Sequence, residues 1–326
     1  MRRILTITLN PAIDITTAVA EVVPGRKLRC DPPRIDPGGG GVNVSRVVKE
    51  LGGATTAVVA VAGPTGAEMR ELLAAAGIEA VFLETAGMTR ESFAIHDRST
   101  DAQFRFVLPG PVQDTGFAET TLTTVAGLLE TGNFPYVVAS GSLPPGAPDD
   151  IYGSLAEISR KNGARMILDT SGRALAGALG RGVFLVRTNR HEARELAEML
   201  RVDPDDPQRL ARSIVTSGSA EAAIMTLGAD GALLVTESGS VQIPAPLVEV
   251  VSPVGAGDSF VGALSFALTE GWQIEQSCGF GVAAAAAAMG TEATELAHKD
   301  DVERLFSMIE ETIIHGAAAV ERAGEE

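Results

Sequence analysis

Cysteine is almost absent from this sequence: of 326 residues, only Cys30 and Cys278 carry a thiol. Two cysteines so far apart, without a C-x-x-C, exclude a disulfide frame or a zinc ribbon and fit a reducing compartment. Both read as ordinary small core residues. Cations are in the minority, with 26 Lys and Arg against 42 Asp and Glu, a formal net charge of −16 and a pI near 4.7. Such a chain is unsuited to non-specific binding of nucleic acid or of an anionic membrane, so an anionic substrate has to be met by a local cluster of Lys or Arg. Long apolar runs are missing too. Ile4 to Leu9 is too short for a signal-peptide core and breaks at Asn10-Pro11, and Val282 to Met289 is mostly Ala and too short for a bilayer. A cytoplasmic location is therefore expected. No G-x-G-x-x-G and no Gly-Lys dipeptide occurs, which excludes a dinucleotide fingerprint and a P-loop, and no G-x-S-x-G marks a serine hydrolase.

What is present is a large core and a regular alternation. With 45% hydrophobic residues, the length suits one large α/β domain over residues 1–326. Strand-like runs at 4–9, 55–61, 136–139, 165–168 and 183–186 alternate with helical stretches, the signature of a mostly parallel sheet flanked by helices. Runs at 222–226, 232–236 and 240–243 are close enough to be hairpin-connected, and 247–251 reads as a short Val-rich strand. After Gly255 the chain is nearly all helix, and Gly316 to Glu326 is expected to fray. Two insertions, at about 14–36 and 90–108, have another texture: short strands, including one at 27–30, broken by Pro24-Gly25 and Pro32-Pro33, then Phe93, Ile95, Phe104 and Phe106 alternating with polar residues. They predict a small antiparallel lid, one face wet and one buried, reaching over a site on the main body.

The candidate chemistry centres on Pro253-Val254-Gly255-Ala256-Gly257-Asp258-Ser259-Phe260. Gly255, Ala256 and Gly257 at the mouth of a helix let bare amides converge on an anion, and Asp258 is placed to take a proton from an attacking hydroxyl. The competing explanation is that Asp258 merely N-caps the helix. Gly38 to Gly41 precede an amphipathic helix; four glycines in a row, each costing backbone entropy, suggest close approach of a ligand rather than packing. Asn43, just inside that helix, and Asp14, after the first strand, can bond sugar hydroxyls, although Asp14 alone could be a turn residue. Lys27, Arg29, Arg90 and Arg105 all fall in the two insertions; each alone could be solvated, but together they suggest a phosphate clamp. Ser142 lies in a Ser-Gly-Ser-Leu-Pro-Pro-Gly turn at the carboxyl end of a strand, where ligands bind in open α/β sheets. Asn189 and Glu192 form either a helix-capping arrangement or part of a Mg²⁺ environment, and Thr226 to Gly231, with Gly228 and Gly231, reads first as a turn.

In order and spacing, N-P-A-I-D, P-G-G-G-G-V-N, G-S-L-P-P-G, N-x-x-E, T-L-G-A-D-G and V-G-A-G-D-S-F resemble the ribokinase/PfkB-type carbohydrate kinases over residues 3 to 310. K-L-R-C at 27–30, Thr89-Arg90 and F-R-F-V-L-P-G at 104–110 are most similar to the minor-isozyme type of 6-phosphofructokinase. The resemblance implies a ribokinase-like sandwich with a β-clasp lid that pairs two subunits, and ATP-dependent phosphorylation of fructose 6-phosphate at its C1 hydroxyl. It gives Asp258 the role of general base and the Gly255 to Gly257 amides that of anion hole. Asp14, Gly39, Gly40, Gly41 and Asn43 then hold the sugar; Lys27, Arg90, Arg105 and Ser142 its phosphate end; Arg187, Asn189, Thr226, Gly228 and Gly231 the nucleotide; and Glu192 Mg²⁺. Relatives acting on fructose 1-phosphate have Lys within the glycine run, where this chain has Gly40. A kinase of fructose 1-phosphate or tagatose 6-phosphate is the neighbouring alternative, and a non-catalytic sugar-phosphate-binding regulator the distant one. Arg187-Thr188 stands where the family has Lys-Pro, Pro253 replaces Thr, and Glu295 replaces a basic residue. The last two bear on the K⁺ site that many members have beside the anion hole.

Overall fold

The computed structural model describes residues 2–291 and 294–310. In β1 (Ile4–Thr8) all five residues are buried, as in a strand covered on both faces. It lies between β4 (Thr55–Val61) and β8 (Tyr136–Ser140), parallel to both. Parallel pairing continues to β5 (Ala80–Glu84) on one side and to β9 (Arg165–Asp169), β10 (Val183–Asn189) and β11 (Ala220–Thr226) on the other. Two antiparallel strands, β12 (Ala232–Thr236) and β13 (Gly239–Ile243), complete a nine-stranded sheet in the order β13-β12-β11-β10-β9-β8-β1-β4-β5.

Alternation along each strand divides the core. Ile4, Val138, Ile167 and Leu185 pack with Val44, Val47 and Val48 of α1 (Gly40–Glu50), Phe260 and Leu264 of α8 (Ala256–Thr269), and Ala283 and Ala287 of α9 (Ile274–Met289). The next residues along, Leu5, Val137, Met166 and Leu168, face α3 (Phe117–Thr131), α4 (Ile151–Lys161), α5 (Gly172–Ala178), α6 (Arg190–Leu200) and α7 (Pro207–Thr216). A smaller cluster packs α2 (Gly63–Ala75) on β4 through Met69, Leu73, Val59 and Val61. The α/β class expected from the sequence is borne out. Among the described residues, no helix is long and apolar enough to cross a membrane.

The two insertions build a second sheet of four strands, β2 (Ala12–Val19), β3 (Arg34–Gly38), β6 (Arg90–Asp97) and β7 (Ala102–Val107), in the order β3-β2-β6-β7. The lid is not wholly antiparallel: its central pair, β2 with β6, is parallel, because the two strands come from separate insertions rather than from one hairpin. The expected strand at 27–30 is irregular and exposed, since two proline turns bracket it and the β3 edge is already formed by residues 34–38. Cys30 is accordingly exposed, not core; Cys278 is buried. Residues 247–251 are not a strand either. Pro244 and Pro246 carry the chain off the sheet edge, Leu247 is 95% exposed, and the Val251 and Ser252 amides donate to the Met289 carbonyl instead. Sequence patterning also missed β5, α3 and α7. The expected fraying of Gly316 to Glu326 lies outside the described residues.

One contact fixes how α8, the helix that carries the candidate base, sits against α1. A Cβ on Gly262 would lie 2.7 Å from the Val47 side chain, so the two helices approach over a bare glycine. Ala at 262 adds helix propensity but forces the helices apart, and overpacking of this kind costs about 1–3 kcal/mol. Gly262→Ala is therefore expected to lower the urea midpoint of unfolding with an unchanged m-value.

Candidate functional site

The strands β1, β8, β9, β10 and β11 end at Thr8, Ser140, Asp169, Asn189 and Thr226, on the edge of the sheet where open α/β folds bind ligands. The mouth of α8 lies against this edge. Gly255 caps the helix with φ 77°, a left-handed conformation suited to glycine, so Ala256, Gly257 and Asp258 are its first three residues, whose amides have no intrahelical acceptor. Asp258 is thus not the N-cap. Its Oδ2 accepts a 2.8 Å hydrogen bond from Asn43 Nδ2 in the first turn of α1.

The lid supplies the opposite wall, and register explains which residues do so. Ala12 pairs with Arg90 and Asp14 with Ser92, while Ser92 pairs with Val107 and Ala94 with Arg105. Side chains in register share a sheet face, so Ala12, Asp14, Arg90, Ser92, Val107 and Arg105 all point the same way. With Gly39, Asn43, Val254, Gly255, Gly257 and Asp258 they enclose a cavity of about 260 Å³. Burial pushes the Asp14 carboxyl up to about 6, against the pull of Arg105, Arg90 and Arg46. Burial, reinforced by the Asp169 and Asp14 charges, pushes Asp258 up to about 7, with the Asn43 hydrogen bond and Arg187 acting in the other direction. A carboxylate poised near neutrality at the mouth of a helix is equipped to accept a proton next to a bound anion.

Behind the α8 turn lies a polar layer. Arg187, only 8% exposed, donates from Nη1 to Asp169 Oδ1 at 3.1 Å and from Nη2 to Thr226 Oγ1 at 2.7 Å. Its guanidinium would stand 2.9 Å from a Cβ on Gly257, so a larger residue there would push it from its place. Asn189 and Glu192 form a full capping box: Asn189 Oδ1 accepts from the amides of His191 and Glu192, and Glu192 Oε2 accepts from the Asn189 amide. Burial and the neighbouring Asp169 charge raise the Glu192 carboxyl. Gly228 and Gly231 have φ of 66° and 82° around a 3₁₀ turn, and Gly231 packs on the β13 end at Ile243.

Eight of the sequence-derived candidates converge: Asp14, Gly39, Asn43, Arg90, Arg105, Gly255, Gly257 and Asp258 line one cavity, with Ala256 in the same turn. Lys27 does not; it lies on the exposed 20–33 loop, as does Arg29. Ser142 stands outside the lining, its Oγ accepting from Asn10 Nδ2 at 3.1 Å. The reading of the glycine run needs correction as well. A Cβ on Gly38 would collide with the Asp14 carboxylate, on Gly40 with Ser140, and on Gly41 with the Ile7 carbonyl at 2.6 Å, so protein packing itself demands these glycines. Asn10, whose carbonyl accepts from Arg90 Nε and Nη2 at 3.2 and 3.1 Å, carries little signal in the sequence beyond ending the first strand, and Asp36, Arg46 and Asp169 carry none. A larger groove of about 1470 Å³ lies at the opposite, amino end of the strands, lined by Arg165, Phe184, Glu221 and Trp272; it shares no residue with this constellation.

The sequence matches the pfkB family of carbohydrate kinases over residues 7–300. The chain belongs to that family. ATP-dependent 6-phosphofructokinase isozyme 2 of Mycobacterium tuberculosis is 42% identical over 313 residues, covering 95% of this chain and 90% of that one. The enzyme of the same name from Escherichia coli is 37% identical over 311 residues, 95% and 99% of the two chains. A 1-phosphofructokinase of Bacillus subtilis is 31% identical over 310 residues, 95% and 99%. Solved structures of E. coli phosphofructokinase-2 cover 95% of this chain and 100% of theirs at 35–36% identity. Their TM-scores are 0.88 for a complex with potassium, 0.86 for one with fructose-6-phosphate and 0.87 for a tetrameric inhibited form. A ribokinase of Thermotoga maritima, 20% identical over 94% of this chain and 100% of its own, shares the fold at a TM-score of 0.75. This chain is thus a phosphotransferase on a ribokinase-like scaffold.

Holding Asp258 in a kinase pocket carries a stability penalty whose sign is fixed. Its folded value near 7 lies above the unfolded value near 3.8, so the penalty is absent below about pH 4. It grows as pH rises and is complete above pH 7. Asp258→Asn is therefore expected to melt higher than the wild type at pH 8 and at the same temperature near pH 4. The gain at pH 8 is about 1–2 kcal/mol, less than the full shift because the carboxylate is partly open to the cavity.

Proposed function

We propose that this kinase phosphorylates fructose 6-phosphate at its C1 hydroxyl, converting ATP to ADP and forming fructose 1,6-bisphosphate. The observation that carries this reading is the single cavity shared by Asp258, the bare amides of α8 and the lid arginines Arg90 and Arg105. Asp258 takes the C1 hydroxyl proton and the freed oxygen attacks the γ-phosphorus. The bond to the bridging oxygen then breaks, and its electron pair leaves on ADP. The amides around Gly255 to Gly257 receive the transferring oxygens, where the helix dipole favours negative charge. Asp14, Gly39 and Asn43 hold the sugar, with Gly40 and Gly41 shaping the helix mouth beside it, and Arg90 and Arg105 take its phosphate. Lys27 and Ser142 have no contact with the cavity within one chain, so the clamp here rests on the two arginines. Arg187 braces the anion turn from below, and Asn189, Thr226, Gly228 and Gly231 border the nucleotide side.

Among the described residues no cluster of three or more His, Cys, Asp or Glu is built to cage a metal. That suits Mg²⁺, which keeps several waters and takes one or two carboxylates together with substrate phosphates. Glu192, half-buried at the start of α6, is the carboxylate that would hold it, beside Asp169, whose own oxygens accept from Arg187 and Ser140. Held there, Mg²⁺ would neutralise phosphate charge. The potassium complex is a property of the E. coli protein. The absence of Lys at Gly40 and the higher identity to the 6-phosphofructokinases support fructose 6-phosphate over fructose 1-phosphate. Residues 1–326 act as one kinase domain with the clasp as its lid, in the cytoplasm, where the two-cysteine composition belongs.

We also infer a homodimer through the clasp. Phe104 pairs with Ile95 and Phe106 with Phe93 on the face turned away from the cavity, and Phe106 is 52% exposed, with Leu108 and Ile35 exposed nearby. An apolar face of this kind, uncovered in one chain, fits a second copy. The E. coli relative also has a tetrameric inhibited form, an assembly beyond this pairing.

Release of ADP by the purified protein with Mg-ATP, measured against fructose 6-phosphate, fructose 1-phosphate, tagatose 6-phosphate, fructose and ribose, is expected to favour the first. Asp258→Asn is expected to lower kcat at least about a hundredfold, the low end for loss of a general base. Unchanged turnover in that variant would remove the mechanism, and preference for an unphosphorylated sugar would remove the clamp. For the dimer, light scattering is the direct measurement: Phe104→Asp with Phe106→Asp is expected to convert a two-chain particle to one chain, and an unaltered mass would show that the clasp is not the interface.

A further inference from the structure

The carboxylate of Asp258 is oriented by a chain of contacts that runs back through α1. Asn43 gives its Nδ2 to Asp258 at 2.8 Å, and its Oδ1 accepts from Arg46 Nη1 at 3.1 Å, one turn along the same helix. A carboxamide is nearly symmetric in shape but not in hydrogen bonding, so which end faces the carboxylate must be imposed from elsewhere. A guanidinium has only donors. Arg46 can therefore satisfy only the oxygen end of Asn43, which leaves the nitrogen end for Asp258. Arg46 is itself held: Nη1 also donates to the Pro37 carbonyl at 3.2 Å, and Nη2 donates to Asp36 Oδ1 at 3.3 Å. Asp36 is buried, and its Oδ2 accepts from Arg34 Nε at 2.8 Å and from Thr294 Oγ1 at 2.7 Å.

We propose that Arg46, anchored by Asp36, is a positioning residue for phosphoryl transfer: by fixing the Asn43 amide it keeps one oxygen of Asp258 occupied and leaves the other for the acceptor hydroxyl. This rests on the reading of Asp258 as general base. Without Arg46, Asn43 is free to turn its oxygen towards the carboxylate, which removes a stabilising donor from the ionised form and adds a repulsive lone pair. The proton affinity of Asp258 then rises and its ready oxygen is no longer fixed. The charged groups that face Asp258 are Asp169 on β9, Arg187 on β10 and Asp14 on β2, with Arg90 and Arg105 lining the same cavity from β6 and β7. Those that face Arg46 are Asp36, Arg34, Asp14 and Asp258. Among them, only the link through Asn43 gives Arg46 control over the direction of a hydrogen bond to the base.

The test is a double-mutant cycle read across pH with Mg-ATP and fructose 6-phosphate. Arg46→Met is expected to lower kcat about tenfold, the scale of one hydrogen bond to a charged group. It should also move the acidic limb of kcat/KM upward by about one pH unit. Arg46→Lys, which keeps a donor-only cation, should recover part of both. In an Asn43→Leu background, Arg46→Met should change kcat by less than about twofold, because the two residues act in series. Asp36→Asn, which loosens Arg46 from its far side, should displace the limb in the same direction by a smaller amount, and it serves if Arg46→Met does not fold. Additive losses in the cycle, or reduced kcat with an unmoved limb and a lowered melting temperature, would make Arg46 merely structural and overturn the proposal. Asp258→Asn in the same panel separates the two levels. Full turnover in that variant sinks both the base and its positioning, whereas an inactive Asp258→Asn with an additive cycle sinks only the latter.

Discussion

The whole site depends on keeping one carboxylate ionisable in a place that disfavours its charge. Asp258 lies at the mouth of a helix whose remaining length is buried among Phe260, Val261 and Leu264, and it meets solvent only through the cavity that it lines. Burial and the nearby carboxylates of Asp169 and Asp14 press it towards the neutral acid; Asn43, Arg187 and the first amides of α8 press back. The first set outweighs the second and lifts the carboxyl from its ordinary 3.8 to about 7, the range that suits the proton acceptor proposed here. Much of the surrounding architecture serves it. Arg187 is spoken for by Asp169 and Thr226, which fixes its distance below Gly257. Gly262 lets α8 close on α1, and this brings Asn43 within hydrogen-bonding reach of the base.

The clasp joins two requirements through a single property of β structure, the alternation of side chains between faces. One face carries Asp14, Arg90, Ser92 and Arg105 into the cavity; the other carries Ile95, Phe93, Phe104 and Phe106 outward. The polar inner face leaves apolar packing to the opposite face. At its base the clasp is anchored by Ile13, which packs with Val42, Val59 and Met69 of the body, and by the Arg90 bonds to the Asn10 carbonyl; its outer strands β6 and β7 carry their aromatic residues beyond that anchor. Burial of the outer face by a second chain would supply the missing packing, so that substrate contacts and subunit contacts stabilise the same four strands.

Those parts of the fold written as local pattern were legible in the sequence. Buried Val and Ile runs announced the parallel strands, and the two insertions announced the clasp. The failures have physical causes. The β5 run is short and partly exposed at a sheet edge; α3 is rich in Thr, which competes poorly for helix; and α7 begins at a proline capped by Asp206 in a charged stretch. Residues 247–251 are β-branched yet have no neighbouring edge with which to pair, so propensity without a partner misled. In the site, Asp258, Asn43, Asp14, Arg90 and Arg105 were readable because glycines or like charges flagged them. Asp36, Arg46 and Asp169 were not, since each looks like an ordinary strand-end or surface charge until tertiary contacts join it to the base. The glycine run was noticed for an incomplete reason: its neighbours are Asp14, Ser140 and Ile7 as much as any ligand.

A chain with net charge −16 repels an anionic substrate at long range, and screening confines that repulsion to about 8 Å in physiological salt. The cavity does not reverse this by excess positive charge. Of the cations near it, Arg187 is matched by Asp169 and Arg46 by Asp36, which leaves Arg90 and Arg105 opposite Asp14 and Asp258. Under the proposed function, recognition of a phosphorylated sugar comes from direction rather than net charge: planar donors on the clasp, aimed amides at α8, and carboxylates turned to hydroxyls. A site of this kind discriminates by geometry, so it rewards an acceptor whose phosphate and reactive hydroxyl are separated by the distance from the clasp arginines to Asp258. The same dependence on direction is why the orientation of one amide, at Asn43, carries weight out of proportion to the energy of its hydrogen bonds.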